Sequence, residues 1–226
     1  VPRSLEGTLP ALKAAGYTIE TPTELDLINL LQQLLAPFYR DGQLDALLNS
    51  GLAELLPVRT YKDWLATLPD TVRADIEARF GAPEKSAMVI RHRGEAFFVI
   101  PRLKLGNVVV LPQPPRGERW EEKEKALYHS TKAAPSHFYL ATYLWAREKL
   151  EADAIVHYGT HGTQEWLPGK ERGLSVYDYP MLAVGDVPVA YPYIADNIGE
   201  SLQAKRRGRA VIVSHQTPPF RPAGLH

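Results

Sequence analysis

Residues 154–170 read Ala154-Ile155-Val156-His157-Tyr158-Gly159-Thr160-His161-Gly162-Thr163-Gln164-Glu165-Trp166-Leu167-Pro168-Gly169-Lys170. The opening Ala-Ile-Val is a short apolar run, which predicts a buried strand. A polar, glycine-rich turn follows at its carboxyl end. Open α/β sheets bind ligands in the crevice outside the carboxyl ends of their strands, so this stretch predicts both a fold class and the place of a site. Within it His157, His161 and Glu165 recur at i, i+4 and i+8. One continuous helix would put all three on one face. Gly159 and Gly162 argue against that helix, because glycine is a poor helix former. The reading therefore puts His157 at the strand end, His161 in the turn and Glu165 on the first turn of a short helix interrupted by Pro168-Gly169. All three heads then face the crevice.

Working outward, a helix is predicted from Pro135 to about Leu150, with Phe138, Tyr143, Leu144 and Ala146 on its inner side. After the site come strands over 187–193 and 210–214, with a helix over 197–207 between them. Upstream, 96–101 and 107–111 read as strands separated by Leu103-Lys104-Leu105-Gly106, and Gln113-Pro114-Pro115-Arg116-Gly117 breaks the second into a loop. Strands alternating with helices predict an α/β domain over 86–226, with a largely parallel sheet flanked by helices. Residues 1–85 read as a mostly helical insertion with a partial α/β unit at its start. A helix over 9–15 stops at Gly16, and a short strand follows over 17–20. Thr23 then caps an amphipathic helix whose apolar face includes Leu25, Ile28, Leu31, Leu34 and Leu35. Further helical stretches cover 43–48, 61–67 and 71–80.

Composition narrows the function classes. The chain has 226 residues, 45% of them hydrophobic and 23% charged, which supports a core without staples. Its 26 basic and 26 acidic side chains cancel, so no electrostatic argument favours nucleic acid or an anionic membrane. The absence of cysteine excludes disulfides, thiolate metal sites and a cysteine nucleophile. No apolar run approaches the ~20 residues of a spanning helix, and no signal peptide is visible, so a cytoplasmic protein without a membrane span is expected. The chain lacks an initiator Met and ends in a segment from Pro218-Pro219 with no closing element, so a piece of a longer chain is expected.

The candidate chemistry follows from residue type. Imidazole and carboxylate suit a borderline divalent ion such as Co²⁺, Ni²⁺ or Zn²⁺, which makes His157, His161 and Glu165 candidate metal ligands and proton acceptors. The plainer alternative is that the imidazoles hydrogen-bond backbone at a tight turn. Their spacing is not that of His-Glu-x-x-His zinc proteases, and no hydrolase nucleophile motif is present. His137 opens the helix ahead of the strand and can project toward the same crevice; His215 follows the last strand. His92 and Glu95 lie in Arg91-His92-Arg93-Gly94-Glu95, readable as a hairpin turn, and His129 has no supporting context. Arg206 and Arg207, in Lys205-Arg206-Arg207-Gly208-Arg209, suit a helix C-terminus or a carboxylate clamp. Arg116 and Lys170 flank the crevice loops as further cations. Trp166 and Tyr158 offer faces for a flat ligand.

The stretch from His157 to Lys170 resembles the signature of the large subunit of tetrapyrrole metal chelatases, the family of CobN and the magnesium-chelatase H subunit. The likeness extends to Gly106-Asn107-Val108, Gln113-Pro114-Pro115-Arg116-Gly117, Pro135-Ser136-His137, the run from Tyr193 to Glu200, Ala204-Lys205-Arg206-Arg207-Gly208 and Thr217-Pro218-Pro219. Ser136 and Ser201 depart from it, standing where family members often carry His and Gly. Glu165-Trp166-Leu167-Pro168 is similar to the cobalt branch; the magnesium branch tends to carry Phe-Met there. The resemblance implies an ATP-dependent cobaltochelatase subunit that binds Co²⁺ and the corrin precursor hydrogenobyrinic acid a,c-diamide, for cobalamin biosynthesis. It implies partner subunits of the AAA+ class, with ATP and Mg²⁺ bound there. On this resemblance Glu165, His161 and His157 handle metal and protons, while Lys170, Arg206, Arg207, Arg116, Trp166 and His137 contact the tetrapyrrole. A magnesium or nickel chelatase, or a scaffold that docks the AAA+ subunits without touching metal, are the competing expectations.

Overall fold

The computed structural model describes residues 2–118, 130, 132–158, 162–193 and 198–214. In chain order the elements are α1 (Pro2–Ala14), α2 (Glu24–Tyr39), α3 (Leu44–Asn49), β1 (Ala53–Pro57), α4 (Val58–Leu65), α5 (Asp70–Phe80), β2 (Val89–His92), β3 (Glu95–Pro101), β4 (Leu103–Leu105) and β5 (Val108–Val110). There follow α6 (His137–Glu148), β6 (Ile155–Val156), a 3₁₀ turn Gln164–Trp166, α7 (Tyr179–Val184), β7 (Val189–Tyr193), α8 (Ile198–Arg207) and β8 (Ala210–Ser214). The α/β class expected from the sequence holds. The parallel pairing belongs to β6-β7-β8, whereas β1-β3-β2 and the β4-β5 hairpin are antiparallel.

α6 is the hub. Residues 137–146 are buried without a break, so the helix is enclosed on every side rather than along the single stripe its sequence suggested. Phe138, Tyr139 and Trp145 are among the largest fully buried side chains, each contributing about 2–3 kcal/mol of apolar burial. Ser136 caps the helix by accepting from the Tyr139 N–H at 3.2 Å, so this departure from the family pattern has a structural use. The cluster around α6 includes Phe38, Leu56 and Tyr61 from the first third of the chain together with Val189, Tyr191 and Ala204 from the last. A second cluster gathers Leu9, Leu27, Leu34 and Leu47 from α1–α3 against Val99, Leu103 and Leu105.

Local chemistry explains most boundaries. Thr23 and Asp26 form a reciprocal capping box at the start of α2. Arg93 and Gly94, both at positive φ, turn β2 into β3 and pair His92 with Glu95, so that segment is the hairpin turn its sequence allowed. Three expectations need correction. Residues 17–20 form no strand: Ile19 is buried, but Thr18 is tied only through its carbonyl, which accepts from Asn107 N–H at 2.8 Å. A Cβ on Gly106 would lie 2.3 Å from that oxygen, so only glycine permits the approach. Ala53–Pro57 is a strand paired with β3 along its length, unrecognised because Ala-Glu-Leu-Leu-Pro lacks β-branched residues. Leu103–Leu105, read as a separator, is the strand opposite β5.

Candidate site at the carboxyl end of the parallel sheet

β6 runs parallel to β7, with Val156 opposite Ala190, and His157 N–H continues the ladder by donating to the Ala190 carbonyl at 2.9 Å. His157 therefore sits at the strand's carboxyl end, as its sequence position predicted, but the strand is only two residues long and not the buried one expected: Ala154 and Val156 are exposed. Its Nε2 lies 3.0 Å from the Tyr143 hydroxyl, and the two rings meet edge to face. Burial holds its pKa down at about 4, so the imidazole is neutral at physiological pH.

Glu165 lies on the 3₁₀ turn and is fully buried. Among the described residues neither carboxylate oxygen has a hydrogen-bond partner. Burial raises its pKa to about 7, and the charge of Glu200 adds to the rise. The carboxylate lies over Gly162, where a Cβ would stand 2.7 and 2.8 Å from its two oxygens. A glycine is thus what leaves this group room. The negative charge of Glu165 also contributes to raising the pKa values of Tyr139 and Tyr143, after their own burial. The carboxylate and the Tyr143–His157 pair therefore share one electrostatic neighbourhood.

A polar network surrounds the Tyr143–His157 pair and stops short of the carboxylate. Gln113 Nε2 lies 2.8 Å from Thr163 Oγ1, 3.1 Å from the Tyr139 hydroxyl and 3.4 Å from the Tyr143 hydroxyl. Tyr139 and Thr163 hydroxyls are 2.8 Å apart. The sequence reading missed these residues. The sequence places Tyr143 on the inner side of its helix and gives Tyr139 no role, although their i, i+4 spacing puts both hydroxyls on one face. Gln113 stood in a quoted motif without a role.

The predicted cations divide. Arg207 is buried and donates to three backbone carbonyls: Glu165 at 2.8 Å, Leu167 at 2.6 Å, and Lys170. It fixes the shape of the site loop and is not available as a carboxylate clamp. Arg116, also buried, donates to the carbonyls of Ser130 at 2.6 Å and Ala133 at 3.1 Å and so binds loops rather than facing the crevice. Lys170 and Arg206 are exposed.

His137 does not face the crevice. It is buried, with Nδ1 at 2.9 Å from the Tyr61 hydroxyl and Nε2 at 2.8 Å from the Gly81 carbonyl, because the helical first third of the chain packs over the start of α6. Tyr158 is turned away too, donating to the Ser4 carbonyl at 3.0 Å and lying 2.6 Å from Thr8 Oγ1 on α1. Trp166 is half-buried, and its indole N–H points to Glu200 Oε2 at 3.4 Å. His161, His129 and His215 lie outside the described residues. Among the described residues no group of three or more His, Asp or Glu side chains is placed to hold a metal ion, and none of the helices is long and apolar enough to cross a membrane. Of the predicted ligand set, His157 and Glu165 are the members described.

Comparison with known proteins points one way. A family model described as CobN/Magnesium Chelatase matches residues 1–226. The aerobic cobaltochelatase subunit CobN of a Sinorhizobium species is 37% identical over 214 residues, covering 94% of this chain and 16% of the relative. The magnesium-chelatase H subunit of Rhodobacter capsulatus is 36% identical over 228 residues, covering 99% and 17%. The catalytic subunit of cobaltochelatase from Mycobacterium tuberculosis has the same fold, with a TM-score of 0.79 at 35% identity over 95% of this chain and 18% of that one. The chain thus spans less than a fifth of the length of each of these relatives.

Proposed function

This chain belongs to the CobN/magnesium-chelatase family, and from that premise we propose that it forms the metal- and proton-handling part of a cobaltochelatase large subunit. In this reading the complete subunit inserts Co²⁺ into hydrogenobyrinic acid a,c-diamide. AAA+ partner subunits supply the work of ATP hydrolysis, with Mg²⁺ bound on those partners. The observation that carries the reading is the Glu165 carboxylate, fully buried and without a hydrogen-bond partner among the described residues. A buried ionisable group left uncompensated is costly in a fold, and such groups concentrate at functional sites.

The chemistry fits the task. Metal insertion needs water stripped from the ion and two protons removed from ring nitrogens. A carboxyl group whose pKa is about 7 can accept a proton from a bound macrocycle and release it to solvent near neutral pH. His157, neutral at that pH, offers a ring-nitrogen lone pair to a metal ion. Arg207 holds the backbone of residues 165–170 in one shape. Lys170 and Arg206, both exposed, are the cations left to meet the carboxylates of the macrocycle.

The choice of cobalt rests on Trp166. Identities of 37% and 36% to cobalt and magnesium relatives do not separate the metals. Trp166, however, gives Glu200 an indole N–H, which the phenylalanine common in the magnesium branch cannot do. The test is Glu165→Gln in the complete subunit assembled with its partners, assayed with Co²⁺, Ni²⁺ and Mg²⁺. Loss of insertion by about 100-fold or more is expected, with Co²⁺ the best substrate of the wild type. Insertion at the wild-type rate by the variant would remove Glu165 from the chemistry and favour a segment that only docks the motor subunits.

A further inference from the structure

The Tyr143–His157 contact contains more than packing. A buried phenol hydroxyl is placed 3.0 Å from one ring nitrogen of His157, and the ring forms no second hydrogen bond among the described residues. Gln113 supplies the next member of the chain. Its Nε2 is committed to Thr163 Oγ1 and the Tyr139 hydroxyl, both oxygens, at 2.8 and 3.1 Å. Its Oε1, an acceptor only, lies 3.5 Å from the Tyr143 hydroxyl and can take that hydroxyl's hydrogen. With that hydrogen given to Oε1, the Tyr143 oxygen can accept from His157 Nε2–H at 3.0 Å. Histidines that ligate metals characteristically donate their remote ring N–H to an oxygen, which locks the tautomer and the ring orientation.

Resting on the chelatase reading, we propose that Tyr143 is the positioning residue of this site: it takes the Nε2–H of His157 and leaves the Nδ1 lone pair as the one that meets the metal ion. Gln113 is the second member of the same chain, through which the 113–117 loop is coupled to the imidazole. Tyr143 touches neither substrate nor metal in this arrangement. Its effect is exerted entirely through His157.

The test uses the 226-residue chain and Co²⁺ alone. ¹⁵N-histidine NMR, with His157 assigned by comparison with His157→Gln, is expected to show the Nε2–H tautomer in the wild type and a mixture of tautomers in Tyr143→Phe. Co²⁺ affinity is expected to fall by about 10–100-fold in Tyr143→Phe with the ring packing retained. A wild-type His157 protonated at Nδ1, or a Tyr143→Phe chain that binds Co²⁺ as tightly as wild type, overturns the assignment. Should Tyr143→Phe lower the melting temperature, Gln113→Met, which leaves both rings in place, serves with the same two readouts. Failure of the wild-type chain to bind Co²⁺ at all would instead strike the parent reading of His157 as a metal ligand, and the tautomer spectrum would still decide the role of Tyr143.

Discussion

The same pair of side chains occurs twice in this molecule, with opposite outcomes. Tyr61 meets His137 edge to face at a centroid separation of 5.5 Å, with a hydrogen bond of 2.9 Å. Tyr143 meets His157 edge to face at 6.0 Å, with a hydrogen bond of 3.0 Å. At His137 the second nitrogen donates to the Gly81 carbonyl, so Tyr61 must donate to the first and every polar atom is satisfied. At His157 the second nitrogen forms no hydrogen bond among the described residues, and both oxygens of the Glu165 carboxylate are buried without a partner there. Residue type does not separate structure from function here. Whether the hydrogen-bonding capacity closes does.

The comparison can be broken most severely at the loop that holds the open region. Arg207→Met removes a buried cation from three carbonyls and is expected to destabilise the chain by on the order of 4 kcal/mol, read by chemical denaturation. Its exposed neighbour is the control: Arg206→Ala is expected to change stability by less than about 0.5 kcal/mol. Equal effects at the two positions would remove the clamp from the account.

Glu165 gives the next largest effect, and its sign is unusual. Its pKa is raised on folding, from an ordinary carboxyl value of 4.5 to about 7. The folded state therefore holds a proton that the unfolded state has released. Stability is lost as pH rises from about 4.5 to about 7 and stays low above that. Glu165→Gln is expected to stabilise the chain by up to about 3 kcal/mol at pH 8 and by little at pH 4, measured as urea midpoints across that range. His157 has the opposite slope. Its pKa is lowered from 6.5 to about 4, so its contribution is intact above 6.5 and lost as pH falls toward 4, and His157→Gln should flatten that limb.

The closed region supplies the smaller contrast. Tyr61→Phe leaves His137 Nδ1 unsatisfied in the core and is expected to cost about 1–3 kcal/mol without altering Co²⁺ affinity. A change in Co²⁺ binding on this substitution would join the two regions that the account separates.

How much of this was legible in the sequence depends on how local the signal is. Thr23 announces α2 because capping is decided within four residues. The parallel strands 189–193 and 210–214 are legible from their apolar runs. The polarity of the site is written in the stretch from His157 to Lys170. What the sequence hides is partnership at long range. Ala53–Pro57 becomes a strand only because β3 lies beside it. His137 and His157 look equally eligible until Tyr61 and Gly81 close over the first. Arg207 reads as a helix-terminal cation, and only the folded loop turns it into a clamp on carbonyls some forty positions away. Gln113, Tyr139, Tyr143 and Thr163 carry no motif of their own, since their roles exist only in each other's presence.

The most direct test of the central claim is the titration of one carboxyl group. ¹³C NMR of the chain labelled at glutamate side-chain carboxyls, with Glu165 assigned by its absence in Glu165→Gln, reports its midpoint alone. An uncompensated buried carboxyl predicts a midpoint near pH 7. A midpoint in the ordinary glutamate range would mean that the group is solvated or paired, and the open site would not exist.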